Sequence, residues 1–135
     1  MSAKPKPVVD HLSQPFWQGC REDRLLIQKC EACGTPRFPP GPMCHACGSE
    51  RSQWSQASGH GRVYSWIVVR HPIPAEIYAN DVPYVVALIE LDEGVRMPSN
   101  IVDCAPETVV AGMLVEVCFR DVGEVRLPQF RPIER

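Results

Sequence analysis

Residues 30–48 read CEACGTPRFPPGPMCHACG, and this stretch decides how the first part of the chain folds. It contains two Cys-x-x-Cys pairs, Cys30 with Cys33 and Cys44 with Cys47. The spacing lets two sulfurs converge on one ion, and the glycine after each pair can take a positive φ that folds the turn back beneath the metal. Two such hairpins form a closed site of four sulfurs, which leaves no position for water or substrate. The stretch therefore predicts one structural zinc ion.

The cysteine pattern also has alternative interpretations. Iron is the rival ion for four thiolates, and a pair of redox-active cysteines is a weaker alternative. His45 lies inside the second pair and could replace a cysteine as ligand. With four thiolates already present, we expect His45 to be an exposed loop residue.

The composition describes a globular protein. The chain has 135 residues, is 44% hydrophobic and 22% charged, and has a formal charge of −2. No apolar run approaches the roughly 20 residues of a membrane-spanning helix, and no secretory signal is visible, which predicts a cytoplasmic location. In a reducing cytosol the seven cysteines favour metal binding over disulfides. The acidic balance disfavours a general nucleic-acid binder.

Residues 1–23 are predicted to form a tail followed by a short helix over about residues 14–22, with Ser13 as its N-cap. Phe16 and Trp17 lie near one face of this helix. We expect that face either to dock on the domain or to be offered to a partner protein, since aromatic residues near a chain end often anchor interfaces.

The remainder is predicted to be mainly β-structure. Residues 24–57 form the zinc region with short flanking strands, and residues 58–135 form a barrel. Five runs in the barrel region are rich in β-formers and are mostly bounded by turn residues: 62–70, 84–92, 95–102, 114–121 and 125–130. Pro98 and Pro128 interrupt two of the runs, which indicates edge positions or bulges. Five short strands favour a small OB-type barrel, with a sandwich as the alternative.

The runs also predict a core. We expect core positions to be found among five apolar residues, with Trp66 or Tyr64 closing one end: Val68, Val86, Leu88, Ile89 and Val117. No catalytic or phosphate-binding signature is found, since the chain lacks G-x-S-x-G, a P-loop, H-E-x-x-H and G-x-G-x-x-G. The long loop over residues 72–83 is a candidate for ligand or partner contact.

The order of these features resembles the DUF35 family, which joins a rubredoxin-like zinc ribbon to an OB-fold. The stretches that carry the resemblance begin with PFWQGCREDRLLIQKCEACGTPRFPPGPMCHACGS and GHGRVYSWIVVRHP, and continue with VPYVVALIELDEGVRMPSNIVDC, GMLVEVCFRDV and LPQFRP. Together they cover nearly everything from Pro15 to Pro132. All four metal ligands of the family pattern are kept.

The resemblance implies a non-catalytic subunit in a hetero-oligomer with a thiolase-like acyl-CoA enzyme, or with a hydratase or aldolase in some branches. Such a subunit is expected to stabilise its partner and to help shape an acyl-CoA-binding groove. Five residues supply cationic and aromatic groups suited to binding phosphates and the face of an adenine ring: Arg37, Phe38, Arg62, Tyr64 and Arg131. A single-strand nucleic-acid-binding OB-fold is the alternative, although its interleaved basic and aromatic residues are missing.

Overall fold

The computed structural model describes residues 4–133 and contains a small sheet followed by a barrel. The small sheet has the strand order β2-β1-β3 and follows one helix. Its elements are α1 (Gln14–Arg21), β1 (Leu26–Cys30), β2 (Pro36–Arg37) and β3 (Ser52–Gln56). Residues 1–3 of the predicted segment 1–23 and residues 134–135 of the predicted segment 58–135 lie outside the described residues. The predicted boundaries between the segments stay predictions.

The barrel is closed by five strands in the order β4-β5-β6-β8-β7, which confirms the OB-type prediction over the sandwich. Every predicted run forms a strand with its limits shifted by a few residues at most. The strands are β4 (His60–Val69), β5 (Tyr84–Leu91), β6 (Arg96–Ile101), β7 (Leu114–Val122) and β8 (Val125–Pro132). A short helix α2 (Ala75–Tyr78) lies in the long loop between β4 and β5, and a 3-10 turn (Pro106–Thr108) precedes β7.

The two prolines lie where strand pairing is sparse. β6 and β8 are parallel and share one bridge, between Ile101 and Phe130. Pro98 pairs with β5 and Pro128 with β7, so each strand is paired along one side and nearly free along the other. Proline is tolerated at such edges because no ladder hydrogen bond is lost.

One apolar core joins the helix, the small sheet and the barrel. Phe16 and Cys20 of α1 pack with Leu25, Ile27 and the barrel interior, where Phe130 is fully buried. Close packing requires Gly19, because a Cβ there would lie 2.8 Å from the Arg24 carbonyl oxygen. Helix α1 begins after Ser13 as predicted, but the Ser13 hydroxyl makes no capping bond and instead accepts from the N–H of Asp10.

The inward face of β5 differs from the prediction in part. Ile89 is buried as expected, but it shares the interior with Val85, Ala87 and Leu91, while Val86 and Leu88 point outward and are half-buried. A bulge between Val63 and Ser65 sets the neighbouring register and leaves Tyr64 exposed. Three other residues of the predicted core are partly buried and pack against it: Trp66, Val68 and Val117. Among the described residues no helix has the length and apolar character needed to cross a membrane.

Candidate metal centre

The four predicted cysteines converge at one point. The sulfurs of Cys30, Cys33, Cys44 and Cys47 all lie within 4.8 Å of one another. Two pairs of sulfurs, Cys30 with Cys47 and Cys33 with Cys44, are 3.6 Å apart. A tetrahedron with Zn–S bonds of about 2.3 Å has edges of about 3.8 Å, so the cluster is sized for one ion. His45 is exposed and lies outside the cluster, as expected.

The two hairpins that carry the sulfurs have the same local structure. Gly34 and Gly48 have φ values of 78° and 79°, the positive values predicted for them. Their N–H groups donate to the carbonyls of Cys30 and Cys44, at 3.0 and 2.9 Å. The first hairpin connects β1 to β2, and these two strands pair with each other. This pairing positions the first two ligands.

The electrostatics of the cluster call for a cation. Hydrogen bonds from the hydroxyl and backbone of Thr35 lower the pKa of Cys33 to about 6. A backbone hydrogen bond from Ser49 lowers the pKa of Cys47, but the neighbouring sulfurs of Cys30 and Cys33 outweigh it and raise that pKa to about 11. The sulfurs compete for negative charge because adjacent thiolates repel. A bound Zn²⁺ removes this conflict by holding all four as thiolates.

A hydrogen-bond network behind the metal hairpins was not predicted. Gln28 of β1 is 3% exposed and donates from Nε2 to the Ser52 hydroxyl at 3.0 Å. Its Oε1 accepts from the Gly41 N–H at 2.8 Å, so one amide ties β1 to β3 and to the loop before the second hairpin. In sequence Gln28 stands between apolar and charged neighbours, and nothing there distinguishes it from a surface residue.

The arginines predicted to bind ligand lie in different surroundings. Arg62 and Arg131 are on the outside of the barrel, where Glu90 and Glu116 lie 3.5 and 3.0 Å from their Nε atoms. Arg37 is instead buried at the end of β2. Tyr64 is half-exposed, and the guanidinium carbon of Arg96 lies 3.8 Å from the centroid of its ring. Arg96 was not among the residues predicted from the sequence.

Of the two expectations for the aromatic face of α1, the structure supports docking on the domain and corrects the assignment of Phe16 to a partner interface. Phe16 is 4% exposed and packs edge-on against Trp17 and Phe38, with ring centroids 5.0 and 5.5 Å away. Phe16 is therefore a core residue and is not available to a partner, because the helix docks this face on the domain. Trp17 and Phe38 are partly buried against the same core.

Two thiols outside the cluster, Cys20 and Cys118, have raised pKa values. Burial raises the pKa of Cys20 to about 12, and burial also raises the pKa of Cys118. A raised pKa lowers the thiolate fraction at neutral pH, which is the opposite of what a nucleophilic cysteine needs.

Comparisons with known proteins agree with this architecture. Residues 17–52 match the family model described as the ChsH2 rubredoxin-like zinc ribbon domain, and residues 54–120 match the ChsH2 C-terminal OB-fold domain. The chain is similar to a probable enoyl-CoA hydratase alpha subunit of Thermomonospora curvata, with 42% identity over 96% of this chain. It spans 40% of the length of that relative.

Two further comparisons cover a larger share of the matched protein. A DUF35 domain-containing scaffold protein of Methanocaldococcus jannaschii is 41% identical over 80% of this chain and 77% of its own length. A solved chain described as an Ltp2-ChsH2(DUF35) aldolase superposes with a TM-score of 0.86 and 41% identity. The superposition covers 94% of this chain and 98% of that one.

Proposed function

The chain belongs to the DUF35 family of zinc-ribbon and OB-fold proteins, and on this premise we propose that it is a non-catalytic scaffold subunit of an acyl-CoA-processing enzyme. Its zinc ion would hold the ribbon in shape and take no part in a reaction. The observation that carries the proposal is the near-complete match to a chain of an aldolase, at 41% identity.

We favour an aldolase or a hydratase as the partner enzyme, because those are the activities in the names of similar proteins. The thiolase-like partner inferred from the sequence finds no support in these names. It stays a prediction to be tested beside the other two. The acyl-CoA-binding groove likewise stays a proposal, and the pairing of Arg62 and Arg131 with glutamates weakens their predicted share in it.

An apolar outer face of the barrel supports the scaffold role. Alternate residues of β5 point outward and meet outward residues of β4 and β6 across the sheet: Ile67 pairs with Val86, and Leu88 pairs with Pro98. Ile67 is 62% exposed, and Pro98 is also exposed. Apolar surface of this kind gains free energy when a partner covers it. We propose that this β4–β6 face, in place of Phe16, meets the enzyme subunit.

The nucleic-acid alternative has less support. The arginines along the barrel are paired with carboxylates, as in Arg96 with Glu90 at 3.2 Å and Arg120 with Asp103. Cations that are already neutralised release few counterions from a nucleic acid, which weakens the electrostatic part of such binding.

The test is reconstitution with the aldolase, hydratase or thiolase-like subunit encoded by the same organism. We expect the isolated chain to turn over no acyl-CoA and the pair to gain solubility or activity. Ile67→Glu should weaken assembly by more than about 1 kcal/mol, because it places a charge in an apolar interface. The control is Val110→Glu, since Val110 is 56% exposed and lies outside the β4–β6 face. Robust turnover by the chain alone, or no stable complex with any of the three enzymes, would refute the proposal.

A further inference from the structure

A cavity of about 370 Å³ lies where the long loop over residues 72–83 meets β6 and β8. The loop contributes Tyr78 and Asp81 to the lining, and β8 contributes Leu127 and Gln129. A volume of this size is within the range of about 300–1,000 Å³ that small-molecule sites occupy. The sequence predicts ligand or partner contact for this loop, and the cavity gives that prediction a location.

The charged groups of the cavity lining neutralise each other. Lys4 and Asp81 are the charged residues of the lining, and the Lys4 Nζ lies 2.9 Å from a carboxylate oxygen of Asp81. The rest of the lining is aromatic, aliphatic or carboxamide, and the ring centroids of Tyr78 and Tyr84 are 6.1 Å apart. Because the described residues of the lining leave no charge without a partner, the cavity has nothing to attract an anion. It suits a neutral and mainly apolar molecule.

Two carboxamides of the lining provide its polar contact. The Nε2 of Gln129 donates to the Oδ1 of Asn100 at 3.4 Å, and the Nδ2 of Asn100 donates to the Val85 carbonyl at 2.9 Å. These two bonds fix the direction of both amides. Among residues 4–133 no group donates to the Oε1 of Gln129. This oxygen is therefore an acceptor for a hydroxyl or N–H group of a ligand.

Residues 4–6 form a wall of the cavity that can move, and we call them the strap. Lys4 pairs with Asp81 after α2, and Lys6 pairs with Glu124 in the turn between β7 and β8. The first two residues of the strap line the cavity. The side chains of Lys4 and Lys6 are 40% and 52% exposed, and exposed ion pairs contribute little stability and are screened by salt. The strap is thus a weakly held, reversible cover.

We propose that this cavity binds a neutral, mainly apolar small molecule with a hydroxyl or N–H donor, and that the strap opens to admit it. The donor bonds to the Oε1 of Gln129, while the rings of Tyr78 and Tyr84 cover an apolar face of the ligand. This site goes beyond the scaffold role and does not depend on it, because this chain alone forms the cavity.

The competing explanation is that a side chain of an enzyme subunit fills the cavity. The cavity borders the β4–β6 face, since Asn100 pairs with Val86 of that face. On that explanation the isolated chain binds no small molecule here, so the isolated chain decides between the two.

The experiment is calorimetric titration of the full, zinc-loaded chain with 1-naphthol, a neutral aromatic alcohol. 1-Methoxynaphthalene is the matched compound without a donor, and 1-naphthalenesulfonate is the matched anion. We expect saturable binding of 1-naphthol and no binding of the anion. The methoxy compound should bind about three- to tenfold more weakly, through the loss of one neutral hydrogen bond.

Variants place the bound compound in the cavity. Gln129→Met keeps the side-chain length and loses the acceptor, so 1-naphthol affinity should fall to that of 1-methoxynaphthalene, whose own affinity should stay unchanged. Tyr78→Ala should weaken the binding of both compounds, because it removes an aromatic contact. Ile67→Glu is the matched control, since Ile67 lies on the β4–β6 face and outside the lining.

Stopped-flow mixing tests the strap. Lys4→Glu should speed the association of 1-naphthol, because repulsion from Asp81 opens the strap, and added salt should speed association of the parent chain. Lys4→Glu combined with Asp81→Lys should restore the parent rate by reversing the pair. An association rate that is unchanged in Lys4→Glu and in salt would refute the strap.

Other results would overturn the site itself. They are the absence of saturable 1-naphthol binding by the parent chain, equal affinities for the alcohol and its methoxy analogue, or unchanged binding in Tyr78→Ala. If Gln129→Met fails to fold, Tyr78→Ala still decides, because Tyr78 lies in the loop outside the barrel strands. Ile67→Glu should lose enzyme assembly and keep 1-naphthol binding, so this site and the proposed function fail separately.

Discussion

Replacement of Cys30 by serine should weaken zinc binding and destabilise the ribbon. The Cys30 sulfur is part of a cluster within 4.8 Å, and Cys30 is 1% exposed. Two thiolates about 4 Å apart repel by about 4 kcal/mol at an effective dielectric of 20, so only a cation holds four together. Structural zinc binds small zinc-finger peptides with an apparent free energy of about 10–16 kcal/mol, which is about 3 kcal/mol for each of four ligands. A serine hydroxyl stays protonated at neutral pH and cannot replace that share.

We therefore expect zinc affinity to fall by about two orders of magnitude in Cys30→Ser. Elemental analysis of protein purified without chelators should find one zinc per parent chain, and competition with a chromophoric chelator measures the affinity. Circular dichroism before and after chelation reports the coupled unfolding. Cys118→Ser is the matched control, because Cys118 is a half-buried thiol of β7 outside the cluster. Iron in the parent protein, or undiminished zinc affinity in Cys30→Ser, would refute the reasoning.

Four further outcomes follow from the structure. Ile89→Ala should cost about 2–5 kcal/mol in denaturant unfolding, whereas Leu88→Ala should cost clearly less because it points outward; equal costs would contradict the assigned faces. Phe16→Ala should lower the free energy of unfolding by about 3–5 kcal/mol. The affinity of the folded variant for the proposed enzyme subunit should stay unchanged, which a binding titration checks. A hydrogen bond from Arg126 lowers the pKa of Asp23, so this stabilisation is present above the carboxyl's unfolded pKa and is lost as pH falls through its lower folded pKa. Asp23→Asn should thus flatten the fall of Tm below about pH 4, and an unchanged profile would argue against the pair. Single-stranded DNA should show no sub-micromolar binding at about 150 mM salt in fluorescence anisotropy; tight binding there would revive the nucleic-acid alternative.

Features that depend on neighbours in the chain could be predicted from residue types alone. The metal ligands belong to this class, because each Cys-x-x-Cys turn, followed by Gly34 or Gly48, brings its two sulfurs together through local backbone geometry. The five barrel strands also belong here, since each run combines β-formers with flanking turn residues. Helix α1 began where proline is tolerated and a serine precedes it.

Features that depend on contacts between distant segments were decided only by the folded chain. The run YVVALIEL is apolar on both faces, so its alternation does not say which face is inside; pairing across the bulge of β4 turned Ile89 inward and Leu88 outward. Phe16 became a core residue only because α1 docks on β1 and β8. Arg37 reads as a surface charge in sequence, yet the ribbon loop folds over it and leaves Nη1 without an acceptor among the described residues. Burial is a property of the assembled layers, and no local pattern encodes which charged side chain those layers will cover.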